Sequence, residues 1–483
     1  MSNQNVIAKS IKWSSLGEIL AKLIVPITNM VLARVLMPED FGILASINMI
    51  ISFVDLFTDS GFAKYLIQCD FDTIHERNQF ANIAFWTNFA ISSVMCLMLC
   101  AFKAQVAVIV GNPGYGNVIA VASFQLLITS FSSIQTALFR RDFDFKTLFI
   151  TRVTMALVPL AITVPLAIIT RSYWALVIGS MASAFINAVI LTLKSKWKPQ
   201  LYYNFIQLKK MLSFSIWSLA EAVAYWLTTW VDAFIIGVAF SAYYLGIYKN
   251  SLNMVNSIMA LVKASIIPVL FSSLSRLKYS QIEFETVYYS VQRLTACVLM
   301  PMGVGLFVFR NLATMIIFGS KWSEASNIVG VWSLASTVFI IFTSFNGEAY
   351  KAKGKPKVLF AFEIAYLLIM IPICYLAKEY GFWNLVYTRS LLIVVQMIIG
   401  LGFMRIFLKF KVCDMLKNIL EPFICAMVMG SVGFILLRIN EGVIWQFLYI
   451  VICSFVYFIL LFVFFKNKLE SDLKVFKTNY NMR

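Results

Sequence analysis

The sequence predicts an all-α polytopic membrane protein with about fourteen transmembrane helices. Composition is the first observation: of 483 residues, 60% are hydrophobic and only 13% charged, roughly half the charged share of an ordinary soluble domain. With a mean hydropathy of +0.82, the chain lacks the polar surface to cover a water-soluble globule of its size. The second observation is that apolar runs of about twenty residues recur from end to end, each long enough to cross a hydrocarbon core of about 30 Å. Third, runs such as Val443 to Phe465 are continuously apolar. A membrane barrel needs short strands with period-two alternation instead.

Taken in order, the expected spans are 12–35, 41–66, 80–102, 117–139, 147–170, 173–193, 211–238, 243–271, 290–312, 326–349, 358–377, 383–407, 419–438 and 443–465. The first is expected to be retained: no small-residue cleavage site follows it, and Glu18 and Lys22 lie in its interior. Lys and Arg then set orientation. Alternate loops hold Arg140, Arg141 and Lys146; Lys194 to Lys210; Lys351 to Lys357; and Lys409 to Lys417, whereas the loops between them hold few charges, such as Arg171, Lys321 and Lys378. The basic set is expected in the cytoplasm, together with both termini.

Several classes of chemistry are excluded. The net charge of +17 is a topology signal in such a chain, and nucleic acid is not an expected partner. The eight cysteines contain no CxxC pair; Cys96 and Cys100, one turn apart, read as packing. The single histidine, His75, falls in a cytoplasmic loop, so no metal site is expected. No Gly-rich phosphate cradle of the Walker type occurs, so ATP hydrolysis is not expected and no cofactor is called for. The loops are too short for a folded extramembrane domain.

The informative residues are polar ones inside spans, because they are costly in lipid and must face protein or water. Ser15, Glu18, Lys22 and Asn29 on the first span, and Asn48, Ser52, Asp55 and Asp59 on the second, recur at helical steps. So do Ser218, Glu221, Tyr225, Thr228 and Asp232 on the seventh, and Lys249, Asn253, Asn256 and Lys263 on the eighth. Steps of three and four keep side chains on one face. The pattern predicts a water-filled cavity between spans 1, 2, 7 and 8. The plainer alternative is that Glu18 and Lys22 form an intrahelical pair and the Asn and Ser residues join helices. Arg152, Arg293, Arg389 and Lys64 lie near span ends and are expected to snorkel to the interface.

Trp13, Glu18 and Asn29 are echoed by Trp217, Glu221 and Asp232, and Phe41-Gly42-Ile43 by Leu245-Gly246-Ile247, at an offset of 203 or 204 residues. The echo suggests parallel repeats and three regions: a six-helix bundle over 1–196, a second over 197–410, and two further helices with a cytoplasmic tail over 411–483. A ligand site between repeats, opening alternately to each side, would follow.

The stretch LARVLMPEDFGILA (32–45), Asp59-Ser60-Gly61-Phe62 and LIQ (66–68) resemble the start of the bacterial polysaccharide transporters. These are the O-antigen-flippase-like branch of the multidrug/oligosaccharidyl-lipid/polysaccharide superfamily. ALFRRDFDFKTL (137–148), YWALVIG (173–179), FSIW (214–217), VDAFIIG (231–237) and LGIY (245–248) continue the likeness, as do IIPVLFSSLSRL (266–277), FGSKWSEA (318–325) and EAYKAKGKP (348–356). The resemblance implies a fold like that of the multidrug exporters: two six-helix bundles in a V around a central cavity, with two added helices. It implies the flipping of a polyprenyl-diphosphate-linked oligosaccharide repeat unit to the outer leaflet for O-antigen, capsule or exopolysaccharide synthesis. Polysaccharide polymerase and chain-length machinery would be partners.

For such cargo, cationic side chains suit the diphosphate. Lys22, Lys249 and Lys263 are the candidates, with Arg34 a weaker one, while Asn253, Asn256, Tyr225 and Trp226 could contact sugars; for the two aromatics, packing or placement at the interface is the plainer reading. Coupling to a proton or sodium gradient would need a buried acid, and Asp55, Glu221 and Asp232 could serve; the alternative is that each pairs with a lysine. A cation-coupled multidrug exporter would share the architecture, but deep lysines repel cationic drugs. A membrane polymerase or ligase should carry a large outer loop rich in Arg and His, which is missing.

Overall fold

The computed structural model describes residues 3–59 and 61–481, and every regular element among them is helical. The long helices are α1 (Asn3–Val35), α2 (Pro38–Asp59), α3 (Ile74–Ala101) and α4 (Gly116–Arg141). They continue with α5 (Phe145–Thr170), α6 (Trp174–Lys194), α7 (Phe205–Ala239), α8 (Ala242–Arg276), α9 (Gln281–Val308) and α10 (Ala325–Ala352). The last four are α11 (Pro356–Ala377), α12 (Phe382–Leu408), α13 (Val412–Ile439) and α14 (Val443–Asn481). Short helices lie at Phe62–Gln68, Lys103–Ile109 and Arg310–Ile317. Twelve segments among the described residues are long and apolar enough to cross a membrane. Two helices, α1 with 33 residues and α8 with 35, match the others in length but fall outside that set. They carry Lys22, Lys249 and Lys263, which the expected spans placed in lipid-crossing segments.

Several helices start well before their expected apolar spans, because side chains cap them on the basic side. Thr73 accepts the backbone N–H of Glu76 at 3.1 Å, and Glu76 in turn accepts that of Asp72 at 2.9 Å, so α3 begins at Ile74. His75 therefore sits in the first turn of α3 and not in a loop. Asp144 caps α5 through Thr147 N at 3.1 Å, and Asn204 caps α7 through Ile206 N at 2.8 Å. Each cap satisfies amide groups that the first turn leaves without a partner. A π-helical turn over Pro159–Thr163 interrupts α5, where the proline lacks the N–H that an α-helix would use.

Packing divides the chain into two compact units, residues 1–249 and 250–483, with the boundary inside α8. This division by packing is distinct from the repeat-based boundaries at 196/197 and 410/411. In the first unit one apolar cluster gathers Phe62, Leu66, Phe80, Phe85, Ile134 and Trp197 at the basic end. Another gathers Ile43, Ile47, Val54, Val118, Leu126 and Val177 further along. The start of α2 crosses the start of α8 at two glycines. A Cβ on Gly42 would lie 1.8 Å from the Ala242 carbonyl oxygen, and one on Gly246 would lie 1.8 Å from that of Pro38. Gly42 and Gly246, like Pro38 and Ala242, are separated by the repeat offset. The crossing is thus self-complementary, each helix using its glycine to admit the other's backbone.

The second unit buries polar groups in its interior. Tyr288 donates to Asn346 Oδ1 at 2.6 Å. Arg293 Nε donates to Asn418 Oδ1 at 2.8 Å, joining α9 to α13. Arg389 is 5% exposed, donates to Tyr366 Oη at 2.9 Å and lies 5.4 Å from the Trp332 ring. These two arginines do not snorkel: they are held by partners on neighbouring helices, which is how lipid-embedded cations are made tolerable. Lys64 likewise pairs with Glu221 at 3.7 Å, both half-exposed.

Candidate functional site

The side chains of Ser15, Glu18, Asp59 and Ser218 lie outside the described residues. The remaining stripe residues of the first unit meet in two places. Trp226 on α7, outside that helix's stripe, donates its indole N–H to Ser52 Oγ on α2 at 3.0 Å and packs 4.8 Å from Phe53; α7 therefore touches the α2 stripe. Tyr225, beside it, is exposed. Farther along α7, Asp232 is 1% exposed and accepts from Tyr248 Oη at 2.8 Å and from Ala233 N at 2.6 Å. Lys249, 8% exposed, donates to the Thr229 carbonyl at 2.9 Å and sits 4.0 Å from the Trp230 ring. The motifs VDAFIIG and LGIY thus clasp each other across the α7–α8 turn. Lys22 and Asp55 are half-buried, whereas Arg34 and Glu221 are exposed.

In the second unit, Asn256 Oδ1 accepts from Trp332 Nε1 at 3.2 Å and Ser336 Oγ at 3.0 Å. Its amide is therefore fixed in orientation by α10. Asn253 is exposed, and its carbonyl accepts from Ser257 at 2.7 Å. Lys263 is half-buried, with its ammonium 5.8 Å from the Phe339 ring. A cavity of about 500 Å³ in this unit lies among α9, the Arg310–Ile317 helix, α13 and α14 and has no charged lining residue. It offers nothing to an anion.

The first unit holds two adjoining polar cavities. One of about 420 Å³ is walled by α1, α4, α5 and α6, and its polar lining is Thr136, Arg140, Thr151, Arg152 and Asn187. The other, about 220 Å³, is lined by Asp55, by Ala63 and by a hydroxyl-rich face of α4. Thr136 and Arg140 border both. Arg152, which is exposed, also lines the larger cavity. Arg140 had counted only toward topology.

The two consecutive arginines at the end of α4 diverge. Arg141 donates to the carbonyls of Leu66 at 2.8 Å and Cys69 at 2.5 Å and lies 4.7 Å from the Phe71 ring. It closes the C-terminus of the Phe62–Gln68 helix, whose last carbonyls lack intrahelical partners. Burial pushes the Cys69 thiol up despite a hydrogen bond with Tyr65 and the nearby Arg141 guanidinium. Arg140 turns to the cavities and is exposed. Nothing in the helical period tells these neighbours apart.

Residues 31–327, more than half of the chain, match the family described as polysaccharide biosynthesis protein. The succinoglycan biosynthesis transport protein ExoT of Rhizobium meliloti (strain 1021) is 22% identical over 358 residues, covering 74% of this chain and 72% of the relative. The lipopolysaccharide biosynthesis protein WzxC of Escherichia coli (strain K12) is 20% identical over 373 residues, covering 75% and 73%. Among solved structures, the lipid II flippase MurJ in an inward closed conformation matches with a TM-score of 0.76 at 15% identity, over 94% of this chain and 99% of that one. An inward-facing multidrug resistance transporter of the MATE family, in the same superfamily, reaches 0.65 at 10% identity, over 83% and 99%. At these identities the structural likeness concerns the fold, which is that of the superfamily named by the sequence motifs. With an all-helical, multi-pass architecture and a family match over residues 31–327, the protein belongs to the polysaccharide biosynthesis protein family.

Proposed function

We propose that the chain is a flippase. It moves a polyprenyl-diphosphate-linked oligosaccharide repeat unit from the cytoplasmic to the outer leaflet by alternating access, for surface polysaccharide synthesis. Family membership carries this reading, and the names of relatives that transport succinoglycan or serve lipopolysaccharide synthesis support it. The physical requirements agree. A diphosphate needs cations, a sugar chain needs hydrogen-bonding groups, and the lipid tail can stay in the bilayer. The protein changes no covalent bond in this reading; its work is differential binding of one cargo in two states.

In the same reading α1 and α8 also cross the membrane, giving fourteen spans. The basic loops then face the cytoplasm of a bacterial inner membrane together with both termini. Lys22, Lys249, Lys263 and the more peripheral Arg34 are the cations for the diphosphate. Asn253, Asn256, Tyr225 and Trp226 serve the sugars. Asp55, Glu221 or Asp232 would take up the proton or sodium ion that drives the cycle, and no other cofactor is required. Polymerase and chain-length proteins would receive the product.

Deletion in the host, followed by surface-glycan analysis and extraction of lipid-linked intermediates, tests the function. The expected outcome is loss of surface polymer, with single lipid-linked repeat units accumulating on the cytoplasmic leaflet. Normal glycan together with new sensitivity to cationic dyes would instead assign a multidrug exporter. At residue level, Lys249→Ala with Lys263→Ala should abolish export at unchanged protein abundance, and full export by the double variant would remove these lysines from the site.

A further inference from the structure

The two adjoining cavities of the first unit have a directional chemistry. The larger carries two guanidiniums, Arg140 from α4 and Arg152 from α5. The smaller shares Arg140 with it and adds the carboxylate Asp55 and a row of hydroxyls on α4. Read back from Arg140, that row is Thr136, Ser133, Ser132 and Thr129, at helical steps that hold one face for about 16 Å. Thr136, Ser132 and Thr129 donate their hydroxyl protons to carbonyls of their own helix, at 2.8, 3.0 and 3.1 Å. Ser133 accepts from Asn88 at 3.1 Å. With their protons committed, the threonine and Ser132 oxygens face the cavity as acceptors, which matches a sugar, whose hydroxyls donate. Asp55 adds an acceptor. Only the larger cavity holds both guanidiniums and only the smaller holds the full hydroxyl row, so phosphate suits the first and sugar the second.

We propose that this groove in the first unit is a docking site for the diphosphate and first sugar of a lipid-linked glycan, entered from the basic end. Arg140 and Arg152 clasp the diphosphate, and Thr136, shared by both cavities, marks the junction of phosphate and sugar. The assignment rests on the flippase reading and adds to it a second cationic station, separate from the lysines of α1 and α8. Two guanidiniums suit a diphosphate better than lysines because each presents a planar fork of donors to two oxygens. Arg141, committed to the helix at Phe62–Gln68, holds the α4 terminus in place so that its neighbour can face the groove.

The test uses the purified full-length protein and two probes, farnesyl diphosphate and farnesyl-diphospho-N-acetylglucosamine, in an equilibrium binding assay. Wild type should bind both. Arg140→Gln and Arg152→Gln should each weaken both probes about tenfold, the loss of one charge-assisted contact. Thr129→Val, in the part of the row that borders only the smaller cavity, should weaken the sugar-bearing probe several-fold more than farnesyl diphosphate. Thr136→Cys should react with a maleimide more slowly when either probe is present, a reading that does not depend on how the arginine variants fold. Wild-type binding with an unaltered double arginine variant, or maleimide labelling that neither probe slows, would overturn the groove while leaving the flippase reading intact. Wild type binding neither probe would overturn both, and the deletion phenotype would then assign the transported class.

Discussion

Replacing Gly42 with alanine puts a methyl carbon 1.8 Å from the Ala242 carbonyl oxygen, and replacing Gly246 does the same against Pro38. An ordinary carbon–oxygen approach is about 3.3 Å, so the α2–α8 crossing must open by about 1.5 Å to admit either methyl. Neither obstacle is a flexible side chain that could turn away; both are backbone. Overpacking costs about 1–3 kcal/mol, and the upper end applies here. Alanine in a helix gains about 1 kcal/mol over glycine, leaving a net loss of about 2 kcal/mol for each variant. The control is Gly305→Ala on α9, where a Cβ meets no heavy atom within 4 Å; it should be neutral or stabilising. Because both methyls force the same helices apart at one crossing, the double variant should lose less than the sum of the singles. Thermal unfolding of the purified protein, followed by loss of the monodisperse peak, measures all four. A Gly42→Ala protein as stable as Gly305→Ala, or strictly additive losses, would refute the shared, self-complementary crossing.

Three further outcomes are expected. Asp232→Ala and Tyr248→Phe each break the 2.8 Å bond that closes the α7–α8 turn; each should cost about 1–3 kcal/mol, and thermal unfolding of the double variant should show no more loss than the worse single. Arg141→Ala removes the donors to Leu66 and Cys69 and should hasten limited proteolysis between residues 68 and 74, with Arg141→Lys intermediate. Cys413 is exposed in the first turn of α13, at an end of the helix expected in the cytoplasm. A membrane-impermeant maleimide should therefore label it in inside-out vesicles and not in intact cells, a signal identified by its loss in Cys413→Ser. Labelling of Cys413 from outside would invert the proposed topology.

The helices were legible because lipid leaves little choice: an apolar run of twenty residues must satisfy its own backbone. The boundaries were not, because caps such as Thr73 and Asn204 extend α3 and α7 into polar sequence that hydropathy assigns to loops. The repeat was visible at Gly42 and Gly246, but only as an echo. That the two echoed glycines touch is a property of packing, and no periodicity within one helix reports which partner it meets. Arg389 illustrates the same limit. A cation eight residues into a span looks close enough to the interface to snorkel, yet Tyr366 and Trp332 retain it inside the bundle.

The site was read unevenly for a chemical reason. Hydropathy singles out Lys, Asp and Asn because their burial is expensive, so Lys249 and Asp232 were conspicuous. In the fold both are tied to the α7–α8 turn, Lys249 by the Thr229 carbonyl and Asp232 by Tyr248. Serine and threonine are cheap in a helix, since each can return its proton to a carbonyl three or four residues earlier. The row Thr129, Ser132 and Thr136 does so, and a face rich in acceptors passed as ordinary span. Such a face can line a cavity without the folding cost that buried charges impose, leaving Arg140 and Arg152, near the helix ends, to supply the positive charge. In the proposed groove the two arginines meet only in the larger cavity, so a phosphorylated sugar would keep its phosphates there while the sugar exchanges water for the hydroxyl row beside Asp55.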